Sequence, residues 1–142
     1  MEATVEAEII VMLLSSKKNM WLCLKNRTSA MSGIQREIFL DPKHLAKHLP
    51  DTPQVQRLLR RGRSPHVFTN QETMFRVARA ILERGEYTGN IRNYERYGLF
   101  FTEPIGFRID PNGSSIPLFY GEVKIDANNR YHPIPRTRPS EG

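Results

Sequence analysis

The fold is decided by residues 105–125, which read IGFRIDPNGSSIPLFYGEVKI. Apolar residues alternate with other residues over 105–109, and alternation returns over 116–125, which is the period of a β-strand. Between them, the segment 110–113 (DPNG) is typical of a tight turn. The stretch therefore predicts a β-hairpin.

Two further strand candidates flank this hairpin, at 99–102 and 130–137. The connections between the four segments are short, whereas parallel neighbours would need crossovers of about a dozen residues or more. The sequence therefore predicts a four-stranded antiparallel sheet. Pro133 and Pro135 cannot donate hydrogen bonds to a neighbouring strand, so the last strand is expected at an edge or partly irregular.

Helices are predicted ahead of the sheet. The Asp-Pro pair at 41–42 starts a short helix that ends near Leu49, and the Thr-Pro pair at 52–53 starts a second one that ends near Gly62. Residues 69–72 have the spacing of a capping box and open a longer helix that ends before Gly85. The expected fold class is α+β, with N-terminal helices packed on a four-stranded antiparallel sheet.

The chain of 142 residues is close to the commonest size of a single domain. Residues 41–142 are expected to form one compact domain, and residues 1–40 an N-terminal extension to which we assign no role. Within this extension, residues 5–14 and 20–24 are apolar and form either a strand hairpin or one short helix.

The composition favours an anionic partner. Lys and Arg number 21 against 15 Asp and Glu, which gives a net charge of +6. An excess of this sign suits RNA or DNA, although it also serves solubility alone. The lone Cys23 cannot form an intramolecular disulfide. Neither a signal peptide nor a transmembrane segment is predicted, so we expect a protein of the cytoplasm, or one delivered into a target-cell cytoplasm, with no membrane partner.

His44 and His48 lie four residues apart and would share one face of the first predicted helix, beside Lys43 and Lys47. Imidazoles transfer protons near neutral pH, and ammonium groups hold phosphate. The alternative is a solvated face over two buried leucines. A zinc site would need a third ligand, which is not evident nearby, so no metal or other cofactor is predicted.

A second cationic group lies on the next predicted helix, where Arg57, Arg60 and Arg61 share one side. Such a patch would contact phosphates without reading bases, or would only solvate the helix. Farther along, Tyr94 and Tyr97 alternate with arginines, in a composition that can stack on bases but is more often core.

The segment 130–138 reads RYHPIPRTR, and in a strand it directs His132, Arg136 and Arg138 to one face. Cleavage of RNA requires a base for the 2′-hydroxyl, an acid for the leaving oxygen and cations for the charged transition state. Two histidines that face each other can supply the base and the acid, and the arginines beside His132 can supply the cations. The alternative is an edge strand whose arginines discourage pairing with other chains.

This order of elements over about residues 41–139 resembles the barnase/EndoU/colicin/RelE-like (BECR) ribonuclease fold. It looks especially like the C-terminal nuclease modules of bacterial polymorphic and contact-dependent toxins. The resemblance implies a nuclease-like domain that cleaves RNA without metal on the concave face of its sheet. It also implies a cognate immunity or antitoxin protein as partner.

Carried onto this sequence, the resemblance makes His44 or His48 the general base and His132 or Thr137 the group that assists departure of the leaving oxygen. Thr137 faces away from His132 in a regular strand and needs a bend to reach the site. The resemblance places Lys47 and Arg136 on the phosphate. The remaining expected RNA-binding residues are Lys43, Arg57, Arg60, Arg61 and Arg138.

The function expected from the sequence is therefore a metal-independent endoribonuclease, with tRNA as one candidate substrate. A noncatalytic nucleic-acid-binding module is the first alternative. The second is a protein-interaction domain, such as an inhibitor or adaptor, whose arginines meet an acidic partner.

Overall fold

The computed structural model describes residues 34–140, so the expectations for residues 5–14 and 20–24 lie outside the described part of the chain. The strands are β1 (Phe39–Leu40), β2 (His66–Phe68), β3 (Glu86–Ile91), β4 (Tyr94–Phe100), β5 (Gly106–Ile109), β6 (Ser115–Leu118), β7 (Tyr120–Ile125) and β8 (Arg130–Arg136). The helices are two 3-10 helices (Pro42–His44 and Ala46–His48), α1 (Pro53–Arg60) and α2 (Gln71–Arg84).

These strands form two sheets. The larger sheet has five strands in the order β1-β8-β7-β4-β3, in which β1 runs parallel to β8 and the other neighbours are antiparallel. The smaller sheet has the order β2-β5-β6 and is antiparallel. The expectation of N-terminal helices on one four-stranded sheet is therefore wrong; the described residues form a mixed α+β fold with two sheets.

One reason for this error is the β3–β4 hairpin, which the sequence did not reveal. Its turn places Arg92 and Asn93 at positive φ angles of 55° and 68°. Hairpin turns of this kind are usually signalled by Asn-Gly or Asp-Gly, and this one contains no glycine. The tyrosines and arginines around this turn therefore looked like a connection between helix and sheet, and not like two paired strands.

A second reason is that residues 116–125 are not one strand. Strand β6 ends at Leu118 and pairs with β5, whereas β7 begins at Tyr120 and pairs with β4 and β8. Phe119 lies at the crossing between the sheets, and its carbonyl accepts a hydrogen bond from the N–H of Phe101 at 2.8 Å. The alternation of residue types continues through this crossing, so periodicity alone does not reveal it.

The predicted helices at 53–60 and 71–84 are confirmed. The N-cap of α2 is Asn70, whose Oδ1 accepts from the N–H of Thr73 at 2.7 Å, one residue later than the capping-box spacing implied.

The helix expected over 41–49 is instead the two 3-10 helices, which meet at Leu45. In an α-helix the carbonyl of Ala46 would accept from residue 50, but Pro50 has no N–H. That carbonyl instead accepts from the N–H of Leu49 at 3.3 Å and from the Thr52 hydroxyl at 2.6 Å.

The core lies between α2 and one face of the five-stranded sheet. Val77 and Ile81 of α2 are buried, as are Val123 and Ile125 of β7. A Cβ on Gly121 would meet Val77 Cγ1 at 2.8 Å and Ile81 Cδ1 at 3.0 Å, so this glycine allows the close approach of α2. Residues of β7 and β8 that alternate with the core positions point to the opposite face.

Candidate functional site

The opposite face of the five-stranded sheet carries charged and aromatic side chains; we call it the polar face. The strand register places Lys124 of β7 beside Arg96 of β4 and His132 of β8. Cross-strand neighbours in register share one face of a sheet. The members used below are Tyr94, Arg96, Glu122, Lys124, His132 and Arg136.

Three imidazoles meet at one end of the polar face, and we call them the histidine cluster: His44, His48 and His132. The His44 ring stacks on that of His132, with centroids 4.3 Å apart and planes at 27°. The His48 ring is nearly parallel to that of His132, at 6.5 Å and 10°. The structure therefore brings together the two histidines of the 3-10 helices and the histidine of β8.

A backbone hydrogen bond fixes the tautomer of His48. Its Nδ1 lies 3.0 Å from the carbonyl oxygen of His66, and because a carbonyl only accepts, Nδ1 carries the proton. Its Nε2 is therefore a lone-pair acceptor; that atom is buried and has no hydrogen-bond partner among the described residues. Burial, with a smaller contribution from Lys47, lowers the pKa of His48 to about 4.

His132 and His44 are also held neutral. His132 is only 3% exposed, and its burial, reinforced by His44 and His48, lowers its pKa to about 2. The His44 side chain is 23% exposed, and its Nε2 lies 3.7 Å from Asp41 Oδ2. Burial and Lys47 lower the pKa of His44, against the opposing effect of Asp41. Near neutral pH the cluster therefore carries no charge of its own.

Lys47 and Lys124 supply positive charge beside the neutral rings. Burial lowers the pKa of Lys47. Burial and the nearby Arg96 lower the pKa of Lys124 to about 8. Lys124 Nζ lies 5.3 Å from the centroid of the Tyr94 ring, which in turn meets His132 edge-on at 6.2 Å. Lysines in such an environment remain mostly cationic at neutral pH and can hold or donate a proton.

Sequence reasoning missed Lys124 as a member of the site, and it named Tyr94 only as a ring that can stack on bases, not as a neighbour of the histidines. A usable signal existed for Lys124: it alternates with the core positions Val123 and Ile125, and the short turn at 126–129 implies pairing with the strand that holds His132. For Tyr94 the signal was weak, because the β3–β4 hairpin itself was not predicted.

Next to Lys124, the polar face carries a buried ion pair. Arg96 donates from Nη1 to Glu122 Oε1 at 3.0 Å, and the Glu122 side chain has no exposed area. Ser140 donates to the same carboxylate from its backbone N–H at 3.3 Å and its hydroxyl at 3.0 Å. The segment that follows β8 therefore covers this ion pair.

Arg136 and Thr137 lie apart from the histidine cluster. Arg136 Nε is 3.9 Å from Glu122 Oε1 and donates to the carbonyl of Arg138 at 3.1 Å. It shares the polar face with His132, but four residues along a strand separate them by about 13 Å. Thr137 is exposed just after β8. The structure does not bring Thr137 to the three histidines.

The expected RNA-binding residues fall into two groups. Arg57, Arg60 and Arg61 are exposed on or just after α1, which packs against the 3-10 helix that carries Lys47. They extend the cationic surface away from the histidine cluster. Lys43 has a largely exposed side chain 3.9 Å from Asp41, and Arg138 is exposed beyond β8.

Among the described residues, no group of three or more His, Cys, Asp or Glu side chains is placed to hold a metal ion. The histidine cluster illustrates the reason, since ring nitrogens point outward in the ring plane. Stacked, near-parallel rings therefore do not direct their lone pairs at one tetrahedral centre.

Within residues 34–140 there is no helix long and apolar enough to span a membrane. No curated protein and no solved structure matches the chain. A family model does match, over residues 36–140, which is more than half of the sequence. The chain therefore belongs to the family described as Domain of unknown function (DUF6972).

Proposed function

We propose that this protein of the cytoplasm, or of a target-cell cytoplasm, cleaves RNA without a metal ion at the histidine cluster, with tRNA as a candidate substrate. The observation that carries the proposal is the meeting of three neutral imidazoles with Lys47 and Lys124 at one end of the polar face. A neutral imidazole can accept a proton at physiological pH, and lysines offset the charge of a phosphorane.

His44 is the base in this scheme because its side chain is 23% exposed, whereas His132 is 3% exposed and Nε2 of His48 is buried. The Asp41 carboxylate favours the tautomer that carries its proton on Nε2, which leaves Nδ1 free to accept. The 2′-hydroxyl gives its proton to Nδ1 as its oxygen bonds to phosphorus. The bond to the 5′-oxygen breaks, and the products are a 2′,3′-cyclic phosphate and a 5′-hydroxyl.

The leaving oxygen requires a proton donor, and buried histidines do not meet that need. With a pKa of about 2, His132 is unprotonated near neutral pH. The ammonium of Lys47 is a better donor, and burial lowers its pKa toward the range in which it gives up a proton. His132 then acts as a positioning residue that holds the His44 ring by stacking.

The second candidate is a noncatalytic module that binds nucleic acid. It is favoured by the enclosure of two histidines, since His132 is 3% exposed and Nε2 of His48 is buried. The arginines at 57, 60 and 61 fit either function, because phosphate contacts position a nucleic acid without cleaving it.

The test is incubation of total tRNA and mRNA with the purified full chain in EDTA, followed by a denaturing gel. We expect discrete fragments from the wild type. In His44→Gln we expect cleavage to fall by at least about 100-fold, because a general base contributes about that much or more.

His66→Gln is the matched control. Its ring lies outside the stack and its backbone carbonyl, which holds His48, is retained, so cleavage should persist. Folding of each variant is checked by circular dichroism. Intact RNA at high concentrations of folded wild type, or full activity in His44→Gln, would reject the proposal and leave the binding module.

A further inference from the structure

Positive charge exceeds negative charge around Lys124. Arg96 and Arg136 lie near it on the polar face, and Lys47 approaches from the second 3-10 helix; all three help to lower the Lys124 pKa. Glu122 is the one carboxylate that opposes them in this group. Positive charges that lie close together in a partly buried environment repel one another strongly unless an anion binds between them.

Glu122 does not supply that anion to Lys124. Its carboxylate is engaged by Arg96 and by two donors of Ser140. Among the described residues, no carboxylate forms an ion pair with Lys124. The ammonium of Lys124 is instead half-buried beside the Tyr94 ring.

Arg96 adds an independent observation. It is 3% exposed, and its Nη1 and Nη2 donate to Glu122, Ser140 and the carbonyl of Ile91. Its Nε is buried and has no acceptor among the described residues. An unsatisfied buried donor, especially on a charged group, is costly, so Nε points to an acceptor that the described residues do not provide.

The two cations also converge on one ring. Lys124 Nζ lies 5.3 Å from the Tyr94 centroid, and the Arg96 guanidinium carbon lies 6.0 Å from it. Tyr94 is half-buried at the first position of β4. Because Arg96 Nε is buried, an oxygen reaches it only if neighbouring side chains move, and we expect Tyr94 to be one of them because both cations lie against its ring.

We propose that Lys124 Nζ and Arg96 Nε form a binding site for a phosphate group. Two cationic donors fit phosphate oxygens, and charge-assisted hydrogen bonds of this kind are the strong ones. The identification of that group with a phosphodiester of RNA rests on the proposed function; the site itself does not. The neighbouring His132 and His44 would then lie next to the bound phosphate.

The experiment follows lysine side chains of the full chain by NMR with carbon-13-labelled lysine, during titration with inorganic phosphate. Lys124 is assigned by the signal lost in Lys124→Gln. We expect phosphate to raise the pH at which Lys124 titrates and to shift the Tyr94 ring signals. Lys124→Gln should weaken phosphate binding by about tenfold or more.

Arg76→Gln is the matched control, because it removes one exposed positive charge from α2, on the other side of the sheet. We expect it to bind phosphate as the wild type does. An unchanged titration of Lys124, or equal weakening by Lys124→Gln and Arg76→Gln, would overturn the site.

A short oligodeoxynucleotide, which has phosphodiesters but no 2′-hydroxyl, identifies the source of the phosphate. A Lys124 response to both probes supports a phosphodiester, and a response to inorganic phosphate alone supports a free or terminal phosphate. A phosphate response with RNA left intact would reject the proposed cleavage and keep the site. RNA cleavage without any Lys124 response would support the proposed cleavage and reject the phosphate site.

Discussion

On the polar face, individual buried charges are neutralised by one specific partner each. Glu122 has no exposed area, and the Arg96 side chain is 4% exposed, so each charge relies on the other for compensation. Breaking such a pair from one side is far more harmful than replacing both partners, because the remaining charge stays buried. Strand alternation alone puts Glu122 and Lys124 on the same face, but it does not reveal that one charge is buried and the other only half-buried.

Removal of Glu122 should therefore destabilise the protein strongly. We expect Glu122→Gln to reduce the free energy of unfolding by about 3–5 kcal/mol, because it leaves the Arg96 guanidinium without its buried counter-charge. Glu95→Gln is the matched control at the half-exposed Arg36–Glu95 pair, where the loss should stay below about 1 kcal/mol. Urea unfolding of both variants provides the measurement; equal losses would show that the Glu122 pair is no more important than a surface pair.

At the scale of elements, prediction succeeded where a local signal exists. Both α-helices follow cap residues and end near glycine, and these signals act within a few residues. The last strand was expected at an edge or partly irregular, but β8 lies between β1 and β7, although β1 covers only its first two residues. Asp41 N–H donates to the Tyr131 carbonyl, so Pro133 and Pro135 face the same edge of β8, beyond the two residues that pair with β1. The split at Phe119 depends on which sheet each half joins, which no local pattern specifies.

The α1 element should contribute to binding without contributing to chemistry. We expect the combined substitution of Arg57, Arg60 and Arg61 by Gln to weaken RNA binding and to leave the fold unchanged, since all three are exposed. For single-stranded RNA, each lost phosphate contact reduces the slope of log affinity against log salt by about 0.7, so three contacts reduce it by about 2. Arg76→Gln should leave the slope unchanged. An unaltered slope in the triple variant would exclude α1 from the nucleic-acid surface.

At the scale of the whole molecule, the site joins parts of the chain that are distant in sequence. His44 and His48 come from the 3-10 helices after β1, and His132 comes from β8, the strand that pairs with β1. The sequence supplied the residue types, and the family resemblance implied that the His44/His48 segment and the β8 segment contribute to one site. It could not predict that the rings stack or that His132 is buried, because these features depend on the packing of non-local segments.

This assembly should make the stability of the molecule sensitive to mild acid. The unfolded chain protonates its histidines near pH 6.5, whereas burial holds the pKa of His48 near 4 and that of His132 near 2 in the folded state. Between pH 6.5 and 4 the unfolded state therefore binds more protons, and stability is lost as the pH falls. Each such histidine should lower the free energy of unfolding by about 1.4 kcal/mol per pH unit in this window.

Urea unfolding at several pH values measures this slope. His132→Gln should reduce this slope by the contribution of one proton, about 1.4 kcal/mol per pH unit. The lowered pKa values of His44 and His66 add to the slope in the same direction, and they do so equally in the wild type and the variant. Ordinary carboxylates stay mostly ionised above about pH 5, so the slope between about pH 6.5 and 5 isolates the histidines. Histidine ring signals followed by NMR provide a second readout that does not require the variant to fold. A His48 or His132 ring that titrates near pH 6.5 in the folded wild type would show that the cluster is open to water, and the neutral imidazoles on which the proposed chemistry depends would be lost with it.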